Sequence, residues 1–323
     1  MRGRGAEVAP GIQRIEAPLG DRLVACVLVV GDRETLLVDT GVDDTPAGSI
    51  LPYLASIGLA PESVRWVVAT HGDVDHMGGN ASFKQAVPGA TLIAHRADLE
   101  LIEDVETIVM TRYSEFAADH WIDIDDAFRA WCHEVARAAP VDLVLEGSVE
   151  IRLGGRSVEL FPTPGHSHGS LSGWDATTRT AIVGDAVLGA TLRTVDGAPA
   201  FPPTYRYLEE YRATIAALEA REPALLLTSH EPVLDATAAR AFLAESGDFT
   251  DRLDRAALAD LAAAERPPTT RELVERLAPQ MGDWPHAAWI FLANELIGHL
   301  EAAVADGRVR VVPGAPVRWE GIR

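Results

Sequence analysis

The segment "VRWVVATHGDVDHMGGN", residues 64–80, is the part of the chain that best predicts its fold and its chemistry. Its apolar first half predicts a buried strand, and its paired glycines let the backbone turn closely before a helix begins. Between strand and glycines stand His71, Asp73, Asp75 and His76. Capping a helix needs one polar side chain, whereas imidazoles and carboxylates gathered on a loop are the ligands of borderline divalent metals. The segment therefore predicts a metal site at a strand end.

Three more strands end on a residue of the same kind. His166 follows an apolar strand and a Pro-Gly turn in "FPTPGHSHGS", Asp185 ends the strand in "AIVGDA", and His230 ends the strand in "LLLTSHEPV". A lone histidine at a strand end is usually structural, but a ligand at each of three independent strand ends is difficult to attribute to chance. We therefore expect these residues to converge on one centre.

Composition excludes several classes of protein. The chain has 323 residues, is 47% hydrophobic and carries a formal net charge of −20, so it buries a sizeable core and is a poor partner for a nucleic-acid backbone. No apolar run reaches the ~18 residues of a membrane helix, and no apolar stretch follows the N-terminus as in a secretory signal. Cys26 and Cys132 stand in unrelated contexts, which argues against a disulfide or thiolate site. We expect a cytoplasmic protein with a small-molecule substrate, and neither nucleic acid nor membrane as partner.

The order of predicted elements suggests two domains. Residues 1–265 form the catalytic domain, in which strands give way to a helical insertion at about 96–139 and then return, with helices at 205–221 and 236–246. Residues 266–323 form a winged-helix-like appendage of a helix capped by Thr270, a second helix over 285–307 and a hairpin turning at Pro313. The appendage has seven basic and seven acidic residues, which favours packing or formation of a homodimer over DNA binding.

Five motifs occur in this order along the chain: "VDTG" at Asp39, "THGDVDHMGG", "TPGHSHGS", "VGDA" and "TSH". With these motifs the chain resembles the metallo-β-lactamase superfamily from about residue 20 to about residue 235. The resemblance implies an α/β fold, an αββα sandwich with two divalent metal ions at the edge of its sheets. It implies these ligands: His71, Asp73 and His166 for the first ion, Asp75, His76 and His230 for the second, and Asp185 for both. Asp39 would orient ligands without binding a metal.

Asp73 departs from the family motif H-x-H-x-D-H, which here is H-x-D-x-D-H. A carboxylate makes the first site harder and more anionic, so the site accepts manganese or iron more readily than three imidazoles would, although zinc is still the expected metal. Either Asp73 ligates and the metal pair survives, or the first site is weakened and one ion dominates. His168 stands two residues after His166, where it would supply the missing imidazole, contact the substrate or lie at the surface.

The resemblance implies a hydrolase in which a metal-bound hydroxide attacks an ester, thioester, lactone or related carbonyl, near thioesterases and lactonases. Asp75 and Asp185 are the expected catalytic residues. Three alternatives stay open: a mononuclear iron dioxygenase of the persulfide-dioxygenase type, β-lactam hydrolysis as a side activity, and a binding protein without catalysis.

We expect the insertion and the segment "FPPTYRYLEEY" to select the substrate. In that segment Tyr205 and Tyr207 follow the Asp185 strand and are candidate substrate contacts. In the insertion, Trp121 and Trp131 are suited either to wall an apolar pocket or to fill the core. The insertion has eleven acidic residues against four arginines, which disfavours a highly anionic substrate unless an arginine such as Arg112 turns inward.

Overall fold

The computed structural model describes residues 4–322, in which two β-sheets pack face to face. The first sheet contains, in spatial order, β1 (Arg4–Ala9), β2 (Ile12–Leu19), β3 (Arg22–Val30), β4 (Thr35–Val38), β5 (Val64–Val68), β6 (Thr91–His95) and β7 (Leu143–Leu145). Strands β1 to β4 pair antiparallel, and β4 to β7 pair parallel. The parallel strands therefore end at a common edge.

The next eight strands are β8 (Val149–Arg152), β9 (Ser157–Pro162), β10 (Leu171–Asp175), β11 (Thr180–Gly184), β12 (Leu192–Arg193), β13 (Pro199–Phe201), β14 (Leu225–Thr228) and β15 (Leu234–Asp235). The second sheet has the order β15-β14-β11-β10-β9-β8, and β12 pairs with β13 in a separate hairpin. Strands β11 and β14 are parallel, so they too end at one edge.

Helices cover the outer faces of both sheets. They are α1 (Leu51–Ser56), α2 (Val74–Met77), α3 (Asn80–Ala86), α4 (Leu99–Glu103), α5 (Val105–Thr107), α6 (Ala117–His120), α7 (Asp126–Val135), α8 (Leu208–Arg221), α9 (Ala236–Ala263), α10 (Thr270–Met281) and α11 (Ala293–Ala305). Alternate strand residues such as Leu36, Ile93, Leu160 and Ile182 fill the space between the sheets. The predicted αββα sandwich is confirmed.

The helical insertion lies between β6 and β7, as predicted. It contains α4 to α7 and a π-helical turn, Ile108–Tyr113. Its apolar side chains, among them Ile102, Ile108 and Cys132, pack on the outer face of the first sheet.

Helix α9 is 28 residues long, although the sequence predicted a helix that ends at 246. The prediction stopped too early because Gly247 and Asp248 resemble a helix end. Buried Leu243, Phe249 and Leu253 continue the apolar face beyond that point, so packing outweighs the weak helix propensity of glycine. Helix α9 ends at Ala263, so the proposed domain boundary at 265/266 lies just after the end of this helix.

The C-terminal segment corrects two details. Helix α10 is capped by Thr269 and not by Thr270, because the Thr269 hydroxyl and the Glu272 carboxylate form a reciprocal capping box. Thr270 is buried and accepts a hydrogen bond from the Trp319 indole at 2.9 Å. The second predicted helix is a 3₁₀ segment, His286–Leu292, followed by α11.

The predicted C-terminal hairpin is present as β16 (Val309–Val312) and β17 (Arg318–Gly321). Its Trp319 joins one apolar cluster with Leu243 of α9 and Leu277 of α10, so residues on both sides of the proposed boundary share a core. Likeness to a winged helix stays a prediction. The hairpin of β1 and β2 was missed, because β1 is mostly exposed and lacks an apolar run. None of the helices in residues 4–322 has the length and apolar character to cross a bilayer.

Candidate active site

The predicted ligands meet at one rim of the sandwich, where strands of both sheets end. Their side chains form three overlapping groups. Within each group, every residue offers one nitrogen or oxygen atom, and these atoms lie within 4.8 Å of one another. The groups are His71, Asp73 and His166; Asp75, His76 and His230; and His71, His76 and Asp185. All seven side chains are therefore close enough to surround bound cations.

Two glycines bring these loops together. Gly165 has a φ of +137°, and a Cβ there would lie 2.5 Å from the backbone of Tyr211, so only glycine fits the turn before His166. Gly184, with a φ of +54°, precedes Asp185, and a Cβ there would lie 2.9 Å from the Thr70 hydroxyl. The left-handed backbone at both positions directs the next residue toward the rim.

Four imidazoles present their Nε2 atoms to the centre. The Nδ1 atoms of His166 and His230 donate to the carbonyl oxygens of Thr204 at 2.7 Å and Leu23 at 2.9 Å. His76 Nδ1 donates to Asp39 at 2.9 Å. His71 Nδ1 lies 2.9 Å from the Thr70 hydroxyl, whose proton goes to Asp39, so Nδ1 of His71 is the donor. These bonds fix the tautomers and leave each Nε2 lone pair free to accept.

Asp39 holds two of these imidazoles, as the resemblance implied. One of its oxygens accepts from the Thr70 amide at 2.7 Å, and the other accepts from the Thr70 hydroxyl and from His76 Nδ1. Asp39 is 1% exposed and contacts His71 only through Thr70. It therefore orients two of the predicted ligands and belongs to none of the three ligand groups.

The residues around Asp185 match what a cation would need. The Oδ2 atom of Asp185 lies 3.5 Å from His76 Nε2 and 3.2 Å from His230 Nε2, while Asp75 Oδ2 lies 3.8 and 3.6 Å from the same nitrogens. Buried atoms with no hydrogen-bond partner include His71 Nε2, His76 Nε2 and Asp185 Oδ1. A buried polar atom without a partner is costly, so three of them aimed at one point fit a divalent ion.

The charges of these groups lead to the same conclusion. Burial alone would lower the pKa of His76, but the carboxylates of Asp185 and Asp75 raise it well above its usual value. Burial would raise the pKa of Asp185, and the neighbouring His230 and His76 hold it well below its usual range. The centre is thus an anionic pocket that favours any positive charge placed in it.

Arg112 does turn inward, and it pairs with Asp73. Its guanidinium contacts both oxygens of Asp73, with Nη2 2.9 Å from Oδ2. Burial would raise the pKa of Asp73, but the charge of Arg112 and its hydrogen bonds to the carboxylate hold that pKa well below its usual range. Asp73 is therefore a carboxylate and already has a cationic partner within the protein.

Asp98 is a residue of the site that the sequence analysis missed. Its two oxygens accept from the amides of Gly72 at 3.1 Å and Gly169 at 2.8 Å, which joins the loop of His71 to the loop of His166. Its position three residues after β6, a strand that ends at the same rim, is the signal that would have identified it.

Two of the predicted substrate contacts do not face the site. Tyr205 is fully buried, stacks on Tyr211 and bonds His299 Nε2 through its hydroxyl at 2.8 Å. Its assignment to substrate is wrong because α8 and α11 enclose it. Tyr207 stacks on His168 with ring centroids 3.4 Å apart and does not line the cavity at the centre.

His168 lies at the surface. Half of its side chain is exposed, and its Nδ1 lies 2.9 Å from Glu210. It belongs to none of the three ligand groups, so the surface alternative describes its position. Thr204 and Arg206, on either side of Tyr205, are the residues of this loop that reach the cavity.

A cavity of about 390 Å³ opens above the ligands. Its floor includes Asp75, Asp185 and His230, and its walls come from the insertion, the β12–β13 hairpin and the C-terminal segment. Its large apolar lining residues are Phe116, Ile122, Ile124, Phe128, Trp131, Leu192, Phe201, Ile290 and Phe291. Trp131 thus walls the pocket as one alternative predicted, whereas Trp121 is 59% exposed and does not line it.

Known proteins resemble the chain in sequence and in fold. The chain is 28% identical to the acyl-coenzyme A thioesterase MBLAC2 of Homo sapiens over 203 residues, which is 59% of this chain and 65% of that protein. It is 28% identical to a hydroxyacylglutathione hydrolase of Anaeromyxobacter dehalogenans over 45% of this chain and 39% of that protein. The chain therefore spans less than two thirds of either relative.

The metallo-beta-lactamase family protein TTHA1429 of Thermus thermophilus has the same fold, with a TM-score of 0.76 and 22% identity over 98% of this chain and 100% of that one. Residues 19–230 match the sequence profile of the metallo-beta-lactamase superfamily, and this range contains every predicted ligand. The chain belongs to the metallo-beta-lactamase superfamily.

Proposed function

We propose that this protein is a metal-dependent hydrolase of thioesters and related carbonyl esters that carry an apolar acyl group. The observation that supports this best is the cavity, whose floor is a set of metal ligands and whose walls are mostly apolar. The named activities of two relatives, an acyl-coenzyme A thioesterase and a hydroxyacylglutathione hydrolase, are both hydrolysis of a thioester.

The ligands at the cavity floor would hold the metal on which the reaction depends. Asp75, His76, Asp185 and His230 supply two nitrogens and two carboxylates, a set that suits zinc and also accepts manganese or iron. A divalent ion bound there would supply a Lewis acid for the carbonyl and would lower the pKa of a bound water to about 7. Asp75, with 15% of its side chain exposed to the cavity, is placed to accept a proton from an attacking water.

Tyr113 is placed to stabilise the carbonyl oxygen. It lines the cavity, and its hydroxyl accepts a hydrogen bond from the Val74 amide at 3.2 Å, so its own proton can be donated. Burial, followed by the charges of Asp73 and Asp75, raises the pKa of Tyr113 well above its usual value. The phenol therefore stays protonated at neutral pH and can donate to an oxyanion as negative charge develops.

The walls of the cavity favour an apolar acyl group over an anionic one. Among its arginines, Arg112 is paired with Asp73, and Arg206 is paired with Glu115 and Glu301. Arg22 lies 4.6 Å from the ring of Phe201, and its ion pair with Asp21 is long, at 3.9 Å, so it is the cavity arginine best able to bind a polar leaving group. An acyl chain would lie against the aromatic residues of the insertion and the C-terminal segment.

The test uses protein freed of metal by a chelator and reloaded separately with zinc, manganese or ferrous iron under anaerobic conditions. Acetyl, butyryl and octanoyl thioesters, a lactone and a β-lactam are the substrates. We expect hydrolysis that depends on the added metal and is fastest for octanoyl thioester. Asp185→Ala should abolish turnover and leave the circular dichroism spectrum unchanged, while the matched exposed variant Asp196→Ala should behave as wild type.

Three results would contradict this proposal. One is metal-loaded protein that hydrolyses none of these substrates, and another is Asp185→Ala with wild-type turnover. The third is oxygen consumption with one bound iron and a persulfide substrate, which would favour the dioxygenase alternative.

A further inference from the structure

Arg112 occupies the group of His71, Asp73 and His166 in a way that a metal ion would. Its Nη2 lies 2.9 Å from Asp73 Oδ2 and 2.9 Å from His166 Nε2, and these two acceptors are 2.8 Å apart. A second guanidinium nitrogen contacts the other oxygen of Asp73, and a third donates to the His166 carbonyl at 3.3 Å. The planar fork of an arginine matches a carboxylate through two parallel hydrogen bonds, and its charge is permanent.

The Nε2 lone pair of His166 is already in use. His166 donates its Nδ1 proton to the Thr204 carbonyl, so its Nε2 carries a single lone pair that accepts from Arg112. One lone pair serves either a hydrogen bond or a metal ion, so His166 cannot bind both.

The other group lacks any such internal cation. In the described part of the chain, no arginine or lysine forms an ion pair with Asp75 or Asp185; the only cationic partners near those carboxylates are histidines. Nε2 of His76 and Oδ1 of Asp185 also lack partners. The requirement for a metal ion is therefore concentrated at this group, and His71 Nε2 is the one nitrogen of the first group that is still free to face it.

We propose that the Arg112 guanidinium takes the place of the first metal ion, so that the chain binds one divalent ion and not two. Asp75, His76, Asp185 and His230 hold that ion. This also explains why position 73 is acidic. A guanidinium needs a carboxylate partner, whereas a metal ion at the same place would accept a third imidazole.

The proposal also explains how the insertion is coupled to the centre. Arg112 lies in the π-helical turn Ile108–Tyr113, and turns of this kind re-aim a side chain relative to a regular helix. The insertion therefore supplies both the internal cation and Tyr113, the next residue in the cavity wall. The proposal rests on the metal centre of the proposed function, and it does not depend on which bond is hydrolysed.

The experiment counts bound zinc by equilibrium dialysis and elemental analysis of the full chain after removal of metal. Wild type should bind one equivalent, and Arg112→Ala should bind two, because Asp73 and His166 are released as ligands. Arg137→Ala is the matched control, since Arg137 is an exposed arginine of the same insertion that pairs with Asp43, and it should bind one equivalent. Asp73→Asn should also bind one equivalent, which keeps the test decisive if Arg112→Ala does not fold.

These outcomes distinguish failure of this inference from failure of the proposed function. Two equivalents in wild type, or a fall from two to one in Asp73→Asn, overturns this inference and leaves the hydrolase proposal standing. A folded Arg112→Ala variant that still binds one equivalent overturns it as well. Wild type that binds no zinc, manganese or ferrous iron overturns both proposals together.

Discussion

Replacing Asp39 with asparagine tests whether a residue that touches no metal sets the affinity of the centre. Asp39 accepts from His76 Nδ1 at 2.9 Å and from the Thr70 hydroxyl at 2.8 Å, and Thr70 in turn accepts from His71. Asparagine keeps the size of the side chain and tolerates the left-handed backbone at φ 58°, so the change isolates the loss of charge and of acceptors.

The expected magnitude follows from these contacts. The amide nitrogen of the introduced asparagine is a donor and must replace one of the two oxygens. At the Oδ2 position it faces the Thr70 hydroxyl and His76 Nδ1, which both lose their acceptor, and at the Oδ1 position it faces the Thr70 amide. In either orientation the imidazole of His76 loses its charged partner. Loss of such a partner lowers metal affinity by about 10- to 100-fold. Because Asp39 acts on two imidazoles, we expect about 100-fold, equivalent to about 2.7 kcal/mol.

The assay is a competition titration of zinc between the protein and a chromophoric chelator at pH 7. Asp44→Asn is the matched control, because Asp44 is exposed in the loop that follows Asp39 and lies outside the ligand groups. It should keep the wild-type Kd. A folded Asp39→Asn variant whose zinc Kd stays within threefold of wild type would show that Asp39 does not set the affinity of the centre.

Three further predictions address the cavity and the core. Phe128→Ala should lower kcat/KM for octanoyl thioester by about 10- to 100-fold, from about 1.5–3 kcal/mol of lost apolar contact, and leave acetyl thioester within threefold; an equal loss for both would remove Phe128 from the acyl pocket. Tyr113→Phe should lower kcat by about 100-fold with KM within threefold, and unchanged kcat would exclude the phenol as an oxyanion donor. Burial raises the pKa of Glu295 well above its usual value, so the folded chain keeps a proton that the unfolded chain releases above about pH 4.3. The free energy of unfolding therefore falls by about 1.4 kcal/mol per pH unit from there up to the folded pKa. Glu295→Gln should remove this slope in urea titrations at pH 5, 6 and 7, and parallel slopes would show that Glu295 is not buried as a neutral acid.

The predicted ligands could be identified because each one stands in sequence shortly after a strand, four of them after β5. The strand before His71, the turn before His166 and the strands before Asp185 and His230 all show in the local pattern, and parallel pairing brings such ends to one edge. Local pattern and topology were thus sufficient for this rim.

Residues that reach the centre from a distance could not be placed in the same way. Arg112 lies 39 positions after Asp73, and its direction depends on a π-helical turn that no composition reveals. Tyr205 was expected near the substrate because it follows the Asp185 strand, but its environment is set by His299, 94 positions away. Thr269 and Thr270 are chemically equivalent as helix caps, and only the backbone geometry distinguishes them.

The centre itself is tested most directly by diffraction from crystals soaked in zinc, with anomalous data collected on both sides of the zinc edge. We expect one anomalous peak per chain, bound by Asp75, His76, Asp185 and His230, with Arg112 still paired to Asp73. Zinc-soaked crystals with no peak among these side chains would contradict a metal centre at this rim.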